Sequence, residues 1–210
     1  MNKTHEASVR QWRRLHDKGY FDNHRHSRGW PLAKTLESLA FNSYLNLQPD
    51  DDVLEIGCGY GSVLNAVADN VRSVVGVDVH DAPLSRARDM LRSKTNVRVI
   101  LTDGISLPFG ENAFSAVYSK SVMQHIPRSL VRIYIEESCR VLKPGGRLCM
   151  QFPDANKGRS EVPDIDTTKI LEQSTAWTSE ELFDMVQGID LEIEIHESPP
   201  RSLYLVGKMK

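Results

Sequence analysis

At 210 residues the chain is long enough to bury a core of its own, and one domain is the simplest arrangement. Its composition, 40% hydrophobic and 26% charged, is that of an ordinary soluble globular protein, and a formal charge of −2 argues against binding nucleic acid through overall electrostatics. No apolar run approaches the roughly 20 residues of a transmembrane helix, and the polar start "MNKTHEASVRQWRRLHDKGYF" does not read as a signal peptide, so a cytoplasmic protein without membrane contact is expected.

The first 30 residues break the charge balance. Lys3, Arg10, Arg13, Arg14, Lys18, Arg25 and Arg28 stand against Glu6, Asp17 and Asp22, and His5, His16, His24 and His26 fall in the same stretch. A solvated amphipathic helix accounts for most of these charges; a basic lid or an anionic-substrate contact is the functional alternative. His24-x-His26 has no further ligand cluster nearby, so no metal is expected. Cys58, Cys139 and Cys149 are odd in number and sit in or beside apolar runs. They read as reduced, partly buried thiols, with no neighbour at zinc-ligand spacing.

From residue 52 a regular alternation begins. "DVLEIGC" is an apolar run ending at glycine, read as a buried parallel strand. "SVLNAVADN" is a helix and "VRSVVGVDV" a second strand; "DAPLSRARDMLRSK" is a helix that Asp81 can cap, with a proline just inside its start. "NVRVILTD" and "AFSAVYSKS" are the third and fourth strands. "RSLVRIYIEESCRVL" is a helix closed by the stop and turn "KPGG", and "RLCMQFP" is the fifth strand. Such alternation predicts a parallel sheet covered on both faces by helices. Residues 154–177 lack clear periodicity, and a loop of that length in a compact domain is often functional. "TSEELFDMVQG" then carries capping-box spacing from Thr178 to Glu181. "LEIEIHES" and "SLYLVGKMK" are separated only by Pro199, Pro200 and Arg201, too short for a crossover, so this pair is expected to be antiparallel.

Ligands of an open α/β sheet bind at the carboxyl ends of its strands, near the switch in strand order. "VLEIGCGYGS" (53–62) puts Gly57, Gly59 and Gly61 there, with Ser62 where a dinucleotide fingerprint has its third glycine. Asp78, ending the second strand, is placed to accept from both hydroxyls of an adenosine ribose. Asp103, ending the third, is placed to accept from the adenine amino group, with the N–H groups of Gly104 and Ile105 toward the ring. Glu55 would sit badly beside a pyrophosphate and well beside an ammonium.

Residues 45–153, about half the chain, resemble the class I S-adenosylmethionine-dependent methyltransferases, especially the small-molecule "type 11" group. The resemblance is carried by "VLEIGCGYG", "VVGVDV", "LTDGISLPFGENAFSAVYSKSVMQHIP" and "VLKPGGRLCM", in the family's order and approximate spacing. It implies a Rossmann-like α/β fold: a seven-stranded, mostly parallel sheet with an antiparallel last strand and helices on both faces. It implies S-adenosyl-L-methionine as cofactor, with S-adenosyl-L-homocysteine as product. Glu55, Gly57, Cys58 and Gly59 would shape the methionine end, with Gly61 packed close to the following helix. Asp78 would bind the ribose, Val79 and His80 flank the adenine, and Asp103, Gly104 and Ile105 address its edge. Ser119 and Lys120 would line the cofactor through their backbone.

The expected function is methyl transfer in line to oxygen or nitrogen of a small-molecule acceptor. His125, beside Gln124 near the fourth strand's end, is the candidate base for an acceptor that must lose a proton. "SKSVMQH" lacks the Asn/Asp-Pro-Pro-aromatic signature of many nucleic-acid and protein amide methyltransferases, which again points away from nucleic acid. Residues 1–44 are read as a helical lid or cap on a core of 45–210. Trp12, His16, Tyr20, Phe21, Arg28 and Trp30, with Trp177 from the long loop, are expected to roof the acceptor side, and Trp12, Tyr20, Arg28, Trp30 and Gln124 are the candidate acceptor contacts. Monomer and homodimer both remain open. Two alternatives compete: an NAD-dependent oxidoreductase, weakened by Ser62, Glu55 and the lack of a Tyr-x-x-x-Lys pair, and a non-catalytic module that binds the same cofactor.

Overall fold

A strand covered on both faces has no polar side to show, and β1 (Asp52–Ile56) and β2 (Ser73–Asp78) are apolar or buried at almost every position. In the computed structural model, which describes residues 3–17, 41–157, 175–198 and 202–210, they are joined by β3 (Val97–Leu101), β4 (Phe114–Ser119), β5 (Leu142–Pro153), β6 (Leu191–Ser198) and β7 (Ser202–Met209). The seven strands form one sheet in the order β3-β2-β1-β4-β5-β7-β6. β1 pairs in parallel with both β2 and β4, β2 with β3, and β4 with β5. β7 inserts antiparallel between β5 and β6, as the short link after Ser198 requires. Strand order therefore reverses at β1, and a crevice opens between the carboxyl ends of β1 and β4.

Helices α1 (Lys3–Asp17), α2 (Ser62–Val67), α3 (Asp81–Met90), α4 (Arg128–Val141) and α5 (Ser179–Met185) accompany the sheet. On one face Leu130, Val131 and Ile135 of α4 and Leu182 of α5 share a core with Leu54, Val117, Leu148 and Met150. On the other, Phe41 and Leu45 of the helical residues 41–45 join Leu64, Leu84 and Ala87 against Val53, Val74, Tyr118 and Cys149. The three cysteines are free and buried. At the amino end of β1, Asp52 is bound by Arg72, Ser73 and Lys143, which hold its carboxyl well below the usual range, Arg72 most of all.

Element boundaries depart from expectation where local hydrogen bonding intervenes. α2 stops at Val67 and finishes as a 3-10 turn over Ala68–Asn70. α3 is capped by His80, whose Nδ1 accepts from the Ala82 N–H at 3.2 Å, and not by Asp81, which is already helical. "KPGG" is not a turn outside the sheet: β5 begins directly after α4, and two steps along β4 (Phe114 to Ala116) match five along β5 (Leu142 to Arg147). Pro144 has no N–H for the ladder, so the strand bulges there. The Thr178–Glu181 capping box is present in both directions.

Glu181 also receives a two-pronged bond from Arg128 at the start of α4, at 2.8 and 2.9 Å, which ties α5 to α4. Arg128, and then the Thr178 N–H, depress the Glu181 carboxyl from 4.5 to about 2. Its stabilisation is therefore fully present above 4.5 and lost as pH falls through about 2. Because the pair is partly solvated, Glu181→Gln should cost about 0.5–1 kcal/mol in urea unfolding at neutral pH, with a smaller gap at pH near 3. A gap independent of pH would assign the loss to the cap alone.

Candidate functional site

Gly57 and Cys58 both donate their N–H to the Val77 carbonyl, at 2.8 and 3.0 Å, so the chain leaving β1 turns against β2. Three glycines in this turn do three different things. Gly57 has φ +75°, and a Cβ there would lie 2.2 Å from Val122 Cγ2. Gly59 has φ +51°, and among the described residues nothing lies within 4 Å of where its Cβ would be, so its backbone faces open space. Gly61 is crowded by Leu91 and Ala87, so the close approach is to α3 and not to the helix that directly follows. The Cys58 side chain turns into the core beside Gly76, where burial pushes its thiol well up, leaving only its backbone for a ligand.

Asp78 is 6% exposed. Its Oδ2 accepts from the Gly59 N–H at 2.9 Å and its Oδ1 from the His80 N–H at 3.0 Å. Burial raises its pKa, and these N–H groups oppose the rise. The Val79 N–H also donates to this carboxylate, and since a carboxylate offers about four acceptor sites, acceptor capacity remains for a ligand. Glu55 lies within β1 and not at its end; it is 3% exposed and accepts from the Tyr118 hydroxyl at 3.0 Å. Burial and then the Glu55 charge push the Tyr118 phenol well up, so it remains a donor.

Asp103 turns one carboxylate oxygen back on its own loop. Its Oδ1 accepts from the N–H groups of Ile105 and Ser106 at 2.9 and 2.8 Å, closing its own loop. The Ile105 N–H is thereby taken up by Asp103 and is not offered to an adenine ring. Tyr134 of α4, buried beneath this side, is raised by burial and then by the charges of Asp103 and Asp78.

At the end of β4, Ser119 Oγ donates to the Ile56 carbonyl at 2.9 Å, and Lys120 is buried. Ser121 then adopts φ +56°, a conformation that disfavours a non-glycine residue by about 1–2 kcal/mol. Its N–H donates to Gln151 Oε1, and the sharp turn brings Val122 back onto Gly57. The 3-10 turn Met123–His125 follows. Gln124 Nε2 lies 3.1 Å from His125 Nε2, so the amide donates to a ring nitrogen that carries no proton. Trp12 of α1 covers the same imidazole, with ring centroids 4.1 Å apart.

The structure thus brings Glu55, the glycine turn, Asp78, Val79, Ser119 and Lys120 to the crevice, with Trp12, Gln124 and His125 at its β4 side. Tyr20, Phe21, Arg28 and Trp30, and the pair His24 and His26, lie outside the described residues. Trp177 is not part of a roof: it is buried against Phe152, with Arg128 over its other face. Tyr118, Ser121, Tyr134 and Arg13 carry no mark in the sequence; Arg13 reads there as one solvated charge among seven.

A glycine turn joined to a buried carboxylate at the switch point of a β3-β2-β1-β4-β5-β7-β6 sheet is the arrangement of the Rossmann-like methyltransferase fold. The family profile for a methyltransferase domain matches residues 53–146, and that stretch is similar to the class I S-adenosylmethionine-dependent methyltransferases. It is similar to the demethylmenaquinone methyltransferase of Tropheryma whipplei (strain Twist), 32% identical over 104 residues, which are 50% of this chain and 42% of that protein. It is also similar to methyltransferase GfsG of Streptomyces halstedii, 33% identical over 127 residues, 57% of this chain and 45% of that protein. The chain spans less than half the length of these two relatives. A solved S-adenosylmethionine-dependent methyltransferase from Aquifex aeolicus shares the fold, with TM-score 0.71 and 14% identity over 90% of this chain and 96% of that one. The family's cofactor is S-adenosyl-L-methionine. The residues present fit it: Gly59 leaves a cradle that a side chain would fill, and Asp78 keeps acceptor capacity beyond its three backbone N–H bonds.

Two neighbouring glycines should therefore fail differently. Gly57→Ala forces a methyl onto Val122 and should lose about 2–5 kcal/mol in urea unfolding. Gly59→Ala should lose only about 1–2 kcal/mol, the strain of its φ, yet lose most of its affinity for S-adenosylhomocysteine by calorimetry. Wild-type affinity in Gly59→Ala would remove the cradle from the site.

Proposed function

We propose that the chain transfers a methyl group from S-adenosylmethionine, in line, to oxygen or nitrogen of a small-molecule acceptor. The observation that carries this reading is the buried Asp78 carboxylate, fixed by the N–H groups of Gly59, His80 and Val79 with acceptor capacity to spare. Bound S-adenosylmethionine supplies an electrophilic methyl on a sulfonium and leaves as a neutral thioether. Asp78 holds the ribose hydroxyls, Glu55 places negative charge beneath the turn for the methionine ammonium, and Val79, Asp103 and Gly104 border the adenine. Ser119 and Lys120 line the crevice through their backbone. The protein's main contribution is alignment, which supplies effective molarities of about 10⁵–10⁸ M in well-oriented reactions.

Residues 1–44 serve as lid and acceptor wall and residues 45–210 as the core. For a hydroxyl acceptor, His125 takes the proton at Nε2 once Gln124 releases that nitrogen. A small acceptor is favoured by the names of the relatives, one of them a demethylmenaquinone methyltransferase. No helix among the described residues is long and apolar enough to cross a membrane, in keeping with a cytoplasmic reaction.

Calorimetric titration should show binding of S-adenosylmethionine and S-adenosylhomocysteine and none of NAD. Asp78→Ala should weaken both by about 100-fold or more, the loss of two charge-assisted hydrogen bonds. Because burial raises Asp78, wild-type affinity should fall at a higher pH than an exposed aspartate would dictate, since protonation removes an acceptor. Binding of NAD alone would overturn the reading, and cofactor binding without transfer to any metabolite pool would favour the non-catalytic module.

Metabolite pools with an isotopically labelled methyl donor identify the acceptor. With a hydroxyl acceptor, His125→Ala should lower kcat by about 10²-fold or more and abolish the acid limb of the pH profile. An unchanged rate and profile would leave His125 a packing residue.

A further inference from the structure

α1 spans the mouth of the crevice and is fastened to both walls. On the β2 side, Arg13 Nε and Nη2 both donate to the Val79 carbonyl oxygen, at 2.9 and 2.7 Å. That acceptor belongs to the residue directly after Asp78. Four residues along the same helix face, Asp17 Oδ1 lies 3.3 Å from His80 Nε2. His80 Nδ1 accepts from the Ala82 N–H, which turns the other ring nitrogen to the side of Asp17. On the β4 side, Trp12 lies on His125. β2 and β4 flank β1 in the sheet, so these contacts bracket the glycine turn.

The Arg13 contact is not what a solvated basic helix would make. An isolated 15-residue helix is marginal in water, so α1 depends on what it grips. A guanidinium gives up rotamer freedom to place two N–H groups on one oxygen, and the oxygen is a backbone atom fixed by its place at the end of β2. Val79 is held by Arg13 from outside while Asp78 and His80 are joined by their own hydrogen bond within, so the 78–80 segment is gripped from both sides. A ligand held by the remaining lone pairs of Asp78 is enclosed as long as α1 stays fastened.

We infer that Arg13, supported by Asp17, is the clasp that retains the adenosine end of the cofactor. It is a positioning residue that acts through Val79 and His80, and it governs how long the cofactor stays. The inference rests on the functional reading above, since it takes the enclosed ligand to be S-adenosylmethionine or its product. Trp12 adjoins Arg13, so lifting the helix also uncovers His125, and the cofactor and acceptor sides open together.

The test is the dissociation rate of S-adenosylhomocysteine, measured by stopped-flow displacement with excess S-adenosylmethionine on the full chain. Arg13→Ala should dissociate about tenfold faster. Arg13→Lys, which keeps the charge without the fork, should fall between it and wild type. Asp17→Asn should show a smaller increase. In turnover, Arg13→Ala should raise the KM for S-adenosylmethionine with kcat within about twofold of wild type. Hydrogen exchange should show amides of residues 3–17 protected by the product in wild type and not in Arg13→Ala. Arg13 is exposed on a helix, where alanine is well tolerated, and a wild-type Tm checks that the fold persists. Equal dissociation rates in wild type and Arg13→Ala, or a lowered kcat with unchanged KM, overturn the clasp and leave the functional reading intact. Failure of the wild type to bind S-adenosylhomocysteine overturns the functional reading itself.

Discussion

The carboxylate of Asp78 ends β2 almost out of reach of water, with the Gly59 N–H on one oxygen and the His80 N–H on the other. Burying such a group is unfavourable by several kcal/mol unless its lone pairs are met. Backbone N–H groups meet them here, so the compensation also fixes the chain that supplies it. The Gly59 bond holds the glycine turn open toward the crevice. The His80 bond sets the ring that caps α3 through Nδ1 and faces α1 through Nε2. The carbonyl between them, that of Val79, takes the guanidinium of Arg13. One buried charge thus organises the turn after β1, the start of α3 and the seat of α1.

The opposite end of the sheet handles acids differently. Asp52 is bound by Arg72 and Lys143, and Asp51 by Arg147. Those pairs neutralise charge and pin the amino ends of β1 and β5 together. Asp78 is instead stabilised by dipoles, which leaves its negative charge available. Two aspartates near strand ends are thus alike in sequence and opposite in use, and the difference lies in whether the donor is a cation or a peptide group.

This explains what could be read from the sequence and what could not. The strand–helix alternation, the antiparallel final pair and the position of Asp78 follow from periodicity and connection length, which act locally. The distinct roles of Gly57, Gly59 and Gly61 do not, because Val122, open space and Leu91 reach them from distant parts of the chain. Asp103 was legible as a strand-end acid, but not that its Oδ1 closes its own loop. Tyr118 is invisible as a partner of Glu55 until β1 and β4 are in register, Glu55 opposite Tyr118. Arg13 looks like its six basic neighbours until α1 is placed across β2. Aromatic character misled at Trp177, where an indole expected at a binding surface packs in the core against Phe152.

The two halves of the crevice are also made of different materials. The contacts proposed for the cofactor are backbone atoms and the carboxylates of Glu55, Asp78 and Asp103, and all lie within residues 53–146, the stretch that matches the family profile. The turn bearing Gln124 and His125 is braced from outside that stretch. Thr175 donates its N–H to the Gln124 carbonyl and its hydroxyl reaches the carbonyls of Met123 and Ile126, while Trp12 covers the imidazole. Backbone contacts survive changes of side chain, whereas a ring stacked on a histidine does not. The surroundings of His125 can therefore be rebuilt through α1 and the segment before α5 without disturbing Asp78 or the glycine turn. Under the proposed function, acceptor choice would rest with those outer segments, which lie outside the stretch that matches the family profile.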